Sequence, residues 1–371
     1  MKNEPVWFES VKDKKRFNSL KKSINVNVAV IGGGIVGVSS AYFLSKKFKV
    51  ALIEKNHIGT GDSGYSTAFL TRTPDASAGQ IAKKYGQKFL NELYEGTGKA
   101  QKELFKIIKS NKIKCDFVNC SSYYLTYKKD KSFEKEWDYI KQADKNTEFI
   151  GYDRKLGIKF ADAIRFKNEG KFDIRKYLLG LVSKLEIDVF EETNVVSIEN
   201  KDKIIIKTEN GTIKADKVIV AVGNPSSLIN LKLVEPILSY VLALECKVPL
   251  SDDIFWDTFE PYYYYRKVND KLMLVGGCDN QKFDDKAYDK LEKFAHEKFG
   301  KFKIKNKWSG TQFKTKDNIP YIFEHKKNIF VATGFNGSGL VFGTLTGMIM
   351  NDFCLGKKNK YSHLFSLKRF K

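Results

Sequence analysis

The chain has 371 residues, enough for about two domains, and its 42% hydrophobic and 29% charged residues exclude a chain without a packed core. Lys and Arg outnumber Asp and Glu by 65 to 44, a formal net charge of +21 that raises the question of an acidic partner. Seven of those basic residues are Arg, and the lysines stand singly or in pairs such as Lys83-Lys84 and Lys326-Lys327 with acids between them. That is a solvated lysine surface rather than a base reader built on guanidinium forks, so a nucleic-acid partner is not expected. Five cysteines without a Cys-x-x-Cys pair form neither a disulfide framework nor a zinc site, and no metal is expected. Met1 to Lys22 has no apolar run of a secretory signal, which places the protein in the cytoplasm or at the inner face of the membrane.

Val26 to Ile31 is a β-branched run that breaks at Gly32-Gly33-Gly34 into Ile35 to Leu44, a segment of helical length, and Val50 to Glu54 follows as a second strand. The three form a βαβ unit of the size a parallel pair requires. Lys55 to Thr73 reads as a loop. Ile81 to Ser110 has helical spacing interrupted by Gly86, Gly96 and Gly98, which predicts two helices. Phe133 to Asp144 and Ile174 to Leu185 read as helices, and Val189 to Phe190, Val195 to Ile198, Ile204 to Thr208 and Val218 to Val222 as strands, with Asn210-Gly211 as a hairpin turn. Pro236 to Gly277 is mostly strand, Asp284 to Phe299 helix, Phe330 to Ala332 strand, and Gly337 to Leu355 a helix entered through glycines.

Gly32, Gly34 and Gly37 spell G-x-G-x-x-G between a strand and a helix. In that setting the first glycine permits the turn, the second admits a pyrophosphate to the backbone, and the third packs helix on strand. The free N–H groups of the first helical turn and the helix dipole favour an anion there. Glu54, 22 residues after Gly32, is placed to accept from an adenosine ribose and to repel a 2′-phosphate, so a dinucleotide other than NADP is expected. NAD and FAD share this pattern. The second glycine-rich helix start, Gly334-Phe335-Asn336-Gly337-Ser338-Gly339, offers positive potential to a second anionic group, such as the N1/C2 carbonyl end of a reduced flavin, and favours FAD.

Taken with VALIE, IGTGDSGYSTAFL, VIVAVG, EPYYYYR, LMLVGG and WSGTQFKTKDNIPYI, these motifs resemble, over nearly the whole chain, the FAD-dependent oxidoreductases of the D-amino acid oxidase superfamily. The resemblance is strongest to glycine and sarcosine oxidases, γ-glutamylputrescine oxidoreductases and the FAD oxidoreductases that carry a Rieske domain. The Cys-x-His and Cys-x-x-His pairs of that domain do not occur after Leu355, so electrons are expected to leave by another route. The resemblance implies an α/β fold (α+β overall) with a Rossmann-like FAD-binding domain of the glutathione-reductase type and a mixed β-sheet substrate domain. The expected boundaries are 24–80, 150–230 and 305–371 for the FAD domain, 81–149 and 231–304 for the substrate domain, and 1–23 for an N-terminal extension.

By motif position the resemblance places Gly32, Gly34, Gly37, Glu54 and Lys55 at ADP, and Ser63, Ser66 and Thr67 near the pyrophosphate and isoalloxazine. Val196 falls on the adenine side, Ala221 and Gly223 border the flavin, and Gly334, Gly337, Gly339 and Leu340 cradle the ring. Gly310 stands where sarcosine oxidases tether flavin through a cysteine, which implies non-covalent FAD. Gln312 stands where glycine oxidases anchor a substrate carboxylate with arginine, and Val341 replaces a lysine of related role. Leu274 stands where those oxidases carry a lysine that activates oxygen, which inclines the expectation to a dehydrogenase.

Strand alternation puts Tyr262, Tyr264 and Arg266 on one face and Tyr263 and Tyr265 on the other. The resemblance turns the first set toward the flavin, where the hydroxyls orient an amine and Arg266 grips an acidic group; packing on the core with Arg266 in a structural ion pair accounts for the same strand. Tyr262, Tyr264, Arg266 and Gln312 are therefore the candidate catalytic residues. Trp137, Trp256 and Trp308 read as packing residues, and none of the four histidines has a catalytic neighbour. The expected reaction is oxidation of a C–N bond of a small amine or amino acid derivative by hydride transfer to flavin N5, with oxygen, a quinone or an electron carrier as acceptor. Oxidation of a C–O bond, as in hydroxy-acid or glycerol-phosphate relatives, and a basic flavoprotein acting on tRNA are the alternatives.

Overall fold

The computed structural model describes residues 2–11, 17–248 and 250–370. Two eight-stranded sheets organise them. In the first, the strands run in the order Tyr321–Lys326, Ile329–Thr333, Thr212–Val220, Ile24–Ile31, Val50–Ile53 and Asp188–Phe190, with the hairpin of Val195–Asn200 and Ile204–Thr208 joined to Thr212–Val220. From Ile329–Thr333 to Asp188–Phe190 neighbours are parallel. Val28, Val30, Val50 and Leu52 have no exposed surface, as expected of a parallel sheet covered on both faces. The helix Ile35–Leu44 leaves the central strand and packs against the last long helix, Gly339–Cys354. A Cβ on Gly347 would lie 2.8 Å from the Ser39 carbonyl carbon, so glycine there sets how closely the two helices approach.

The second sheet has the order Lys303–Lys314, Glu235–Glu245, Leu272–Asn280, Tyr263–Asn269, Ile254–Asp257, Val118–Thr126, Asp162–Lys171 and Thr147–Gly151. All its pairings are antiparallel except Ile254–Asp257 with Val118–Thr126. The helix Lys286–Phe299 covers one face, where the Phe294 ring stacks on Tyr263 with centroids 4.0 Å apart and Tyr265 is fully buried. The opposite face, carrying Tyr264, turns toward the first sheet and roofs its strand ends.

The elements read from the sequence are largely present, but the domain boundaries fall differently. Asp162–Lys171, inside the segment 150–230, and Lys303–Lys314, which reaches into 305–371, are strands of the second sheet. The helix Gln87–Ser110, inside 81–149, lies against the last helix of the first unit, with Gly96 facing Tyr361 and Leu345. Local pattern reveals a strand but not its partners. Of the three glycines expected to divide 81–110, only Gly86 does so, at φ +88°; Gly96 and Gly98 stay helical. The described part of 1–23, expected as an N-terminal extension, is tied back to the rest of the chain. Trp7 Nε1 donates to the Ser66 carbonyl at 2.8 Å, and Leu20 N–H donates to Thr193 Oγ1 at 3.0 Å.

Candidate active site

A cavity of about 730 Å³ runs between the sheets, from Glu54 and Lys55 at a strand end of the first to Ser239, Trp256, Tyr262 and Tyr264 of the second. Its size is that of a pocket for a large cofactor with a small substrate. Gly32 turns the chain at φ +114°, and a Cβ there would sit 2.3 Å from the Ala221 carbonyl oxygen. A Cβ on Gly37 would sit 1.8 Å from the Gly32 carbonyl oxygen, so the first helical turn closes on the strand only with glycine at both places. Ile35 N–H donates to Ser63 Oγ at 3.0 Å, while Glu54 accepts from Gly33 N–H at 2.6 Å and Asn56 N–H at 2.8 Å. These bonds fix Glu54 at the groove, with further lone pairs open to a hydroxyl donor.

The second helix start is built by Asn336. Its Nδ2 donates to the Gly334 carbonyl at 2.5 Å and its Oδ1 accepts from Thr315 N–H at 2.8 Å, joining the turn to the end of the second sheet. Gly334 and Gly337 have φ of +74° and +90°. Gln312 lies against Gly337, and its Oε1 is buried without a hydrogen-bond partner among the described residues.

On the roof, Tyr264 OH and Ser239 Oγ share a hydrogen bond at 2.9 Å, and Tyr262 OH donates to Asp279 Oδ2 at 3.1 Å. Burial first, then the neighbouring carboxylates, push both phenol pKa values up, so these hydroxyls stay protonated and act as donors. Asp75 stands on the same wall, its carboxyl pushed up to about 7 by burial, with Lys314 lowering and Asp279 raising it.

Of the residues expected from the sequence, Gly32, Gly34, Glu54, Lys55, Ser63, Ser66, Thr67, Ala221, Gly223, Tyr262, Tyr264, Gln312, Gly334, Gly337, Gly339 and Leu340 border the cavity. Gly37 sits beneath it. Val196 does not border it and is 51% exposed. Arg266 does not border it either, a correction to its expected place beside a substrate. It is 2% exposed, donates to the Phe172 carbonyl at 3.1 Å and lies over the Trp7 ring at 5.1 Å. Its strand runs on beyond the cavity, so sharing a face with Tyr264 does not bring it to the same wall. Trp256, expected as packing, both stacks on Phe166 and lines the cavity. Asp75 was missed, because a lone Thr-Pro-Asp in a loop carries no spacing signal.

A Rossmann sheet with a dinucleotide groove, a second glycine-built helix start facing it, and a tyrosine-lined roof define a two-domain flavoprotein oxidoreductase. Residues 27–353 match the DAO family, described as FAD dependent oxidoreductase. The chain is 27% identical to the Rieske 2Fe-2S protein YhfW of Bacillus subtilis, over 99% of this chain and 76% of that protein. It is 23% identical to γ-glutamylputrescine oxidoreductase of Escherichia coli, over 95% and 89%. Glycine oxidase from Geobacillus kaustophilus superposes with a TM-score of 0.79 at 19% identity, over 92% of this chain and 98% of that one. The chain belongs to the DAO family and is an enzyme, a FAD-dependent oxidoreductase. No helix among the described residues is long and apolar enough to cross a membrane.

Proposed function

We propose that this enzyme binds FAD without a covalent tether and oxidises a small amine at the carbon beside nitrogen, giving an imine that water hydrolyses. The observation that carries this reading is the continuity of the cavity, which joins the Gly32–Gly37 turn and Glu54 to the Gly334–Leu340 turn and to the Tyr262 and Tyr264 wall. Relatives named for γ-glutamylputrescine and glycine, both amine-bearing compounds, support the choice of a C–N bond. The residues fit the cofactor. The tight glycine turn and helix start suit a pyrophosphate, Glu54 suits a ribose, and the second helix start suits the electron-rich end of a flavin ring.

The chemistry FAD supplies when bound is acceptance of two electrons, as hydride, from the carbon that bears nitrogen. Among the described residues that line the cavity there is no cysteine or histidine to form a tether, and Gly310 lies directly against Tyr65. The protein's part is orientation. Tyr264, braced by Ser239, and Tyr262, braced by Asp279, present fixed hydroxyls on the substrate side. Gln312 Oε1 is an acceptor for an N–H of a bound molecule.

Anaerobic bleaching of the ~450 nm flavin band by amines, N-methyl amino acids, D- and L-amino acids and hydroxy acids tests the proposal. Reduction by C–N substrates is the expected result, and admission of air then shows whether oxygen takes the electrons. Reduction by hydroxy acids alone, or protein that cannot take up flavin, would overturn it.

A further inference from the structure

We infer that Arg369 is a positioning residue for the second helix start: acting through Asp317 and Thr315, it holds the turn Gly334-Phe335-Asn336-Gly337 in the geometry that receives the ring end of FAD. The inference rests on the FAD binding proposed above. Arg369 itself does not border the cavity.

The turn is poorly suited to holding itself. Gly334, Asn336 and Gly337 have φ of +74°, +51° and +90°, and glycine leaves such a backbone many other conformations. A helix start favours an electron-rich group only while its N–H groups keep their direction, so that freedom has to be removed by contacts from outside the turn. Thr315 supplies them. Its N–H donates to Asn336 Oδ1 at 2.8 Å, Asn336 N–H donates to the Phe313 carbonyl at 3.3 Å, and a Cβ on Gly334 would sit 2.2 Å from Thr315 Cγ2.

Thr315 is held in turn by the segment 317–320, and that segment is where Arg369 acts. Thr315 Oγ1 donates to the Ile319 carbonyl at 3.0 Å. From the short helical turn Leu367–Phe370, Arg369 donates through Nε to Asp317 Oδ2 at 2.8 Å and through Nη2 to Asp317 Oδ1 at 2.9 Å, a two-pronged pair whose side chains are both 2% exposed. Nη2 also reaches the Ile319 carbonyl at 2.7 Å, and Nη1 the Pro320 carbonyl at 3.0 Å. Tyr85 OH completes the site by donating to Asp317 Oδ2 at 2.7 Å. One planar group thus fixes a carboxylate and two carbonyls of a loop in which Asn318 has φ +55°. A lysine, a single point charge, cannot reproduce that fork.

The dinucleotide end is built separately. Glu54 accepts from Gly33 N–H and Ser63 from Ile35 N–H, and neither belongs to the Arg369 network. A fault in that network therefore reaches the flavin ring and spares the ADP end, whereas a general loss of fold reaches both.

The test titrates FAD and ADP calorimetrically against the full-length apoprotein and its Arg369→Met, Arg369→Lys and Thr315→Val variants, with the midpoint potential of bound flavin as a second reading. In Arg369→Met the FAD dissociation constant should rise about tenfold while the ADP constant is unchanged. The potential should fall toward that of free FAD, because the positive end of the helix no longer favours the electron-rich ring. Arg369→Lys should recover part of both changes. Thr315→Val leaves the ion pair whole and breaks the path one step further on; it should repeat both changes, and it decides the matter where Arg369→Met does not fold. Wild-type FAD affinity and potential in these variants, or FAD and ADP weakened by the same factor, would overturn the inference and leave the proposed C–N oxidation in place. Unaltered protein that binds ADP but not FAD would remove the FAD reading beneath it.

Discussion

The Tyr264 ring lies across Gly276. The two are cross-strand partners, and a Cβ on Gly276 would fall 2.4 Å from the ring. The glycine of the LMLVGG segment is therefore the floor on which the tyrosine rests, and the hydroxyl reaches Ser239 because that floor has no side chain. Gly276→Val should displace Tyr264 and weaken the enzyme at substrate more than at cofactor. The Michaelis constant should rise at least tenfold with flavin content preserved, and stability should fall by ~1–3 kcal/mol from overpacking. Kinetics and thermal unfolding of the same preparation check both.

Gly37→Ala should act on the cofactor instead. Its methyl group would press on the Gly32 carbonyl oxygen, which is backbone and cannot rotate away. The variant should purify with little flavin, or lose more than about 3 kcal/mol of stability. Wild-type flavin content and melting temperature would contradict the packing role given to this glycine.

Glu54→Ala removes an acceptor shared by Gly33 and Asn56 N–H groups as well as the partner proposed for a ribose. Hydrogen bonds to a charged group contribute about 1.5–3 kcal/mol each, so the FAD dissociation constant should rise tenfold or more. Fluorescence titration of the apoprotein measures it, and Glu54→Gln should recover part of the loss.

Arg266→Met should leave the Michaelis constant unchanged. Burial lowers the guanidinium pKa to about 10, and no carboxylate is paired with it among the described ion pairs, so its charge is a cost of folding rather than a gain. A buried cation replaced by an apolar chain of similar volume is neutral or stabilising. Equal or higher thermal stability with unaltered kinetics is expected, and a raised Michaelis constant would return Arg266 to the substrate.

The Asp75 carboxyl has a pKa raised to about 7, above the ~3.9 of an unfolded aspartate. The folded apoprotein therefore holds the proton in a range where the unfolded chain has lost it, and this group's contribution to stability declines as pH rises from about 4 through 7. Asp279, Lys314, Tyr262 and Tyr264 are the charged and titratable neighbours; burial also pushes the Asp279 carboxyl up, and the two tyrosines keep their protons there. Asp75→Asn should flatten this part of the stability profile, measured by thermal unfolding across the same pH range.

The dinucleotide groove was legible in the sequence because its chemistry is local. Gly32, Gly34, Gly37 and Glu54 lie within one βαβ unit, and the turn that admits a pyrophosphate is made by neighbours in the chain. Strand alternation likewise separated Tyr262 and Tyr264 from Tyr263 and Tyr265, since that periodicity belongs to the backbone. The sequence could not decide what stands opposite. Arg266 obeys the same alternation yet lies past the cavity, because the length of the wall depends on how far the first sheet extends beneath it. Asp75 and Asp279 are 204 residues apart, and Asp279 raises the Asp75 pKa only because a loop pinned by Arg72 and Glu136 comes near the bulged end of Leu272–Asn280. Backbone geometry and short-range spacing follow from the order of residues, whereas the electrostatics of a cavity is a sum over groups that only tertiary packing brings together.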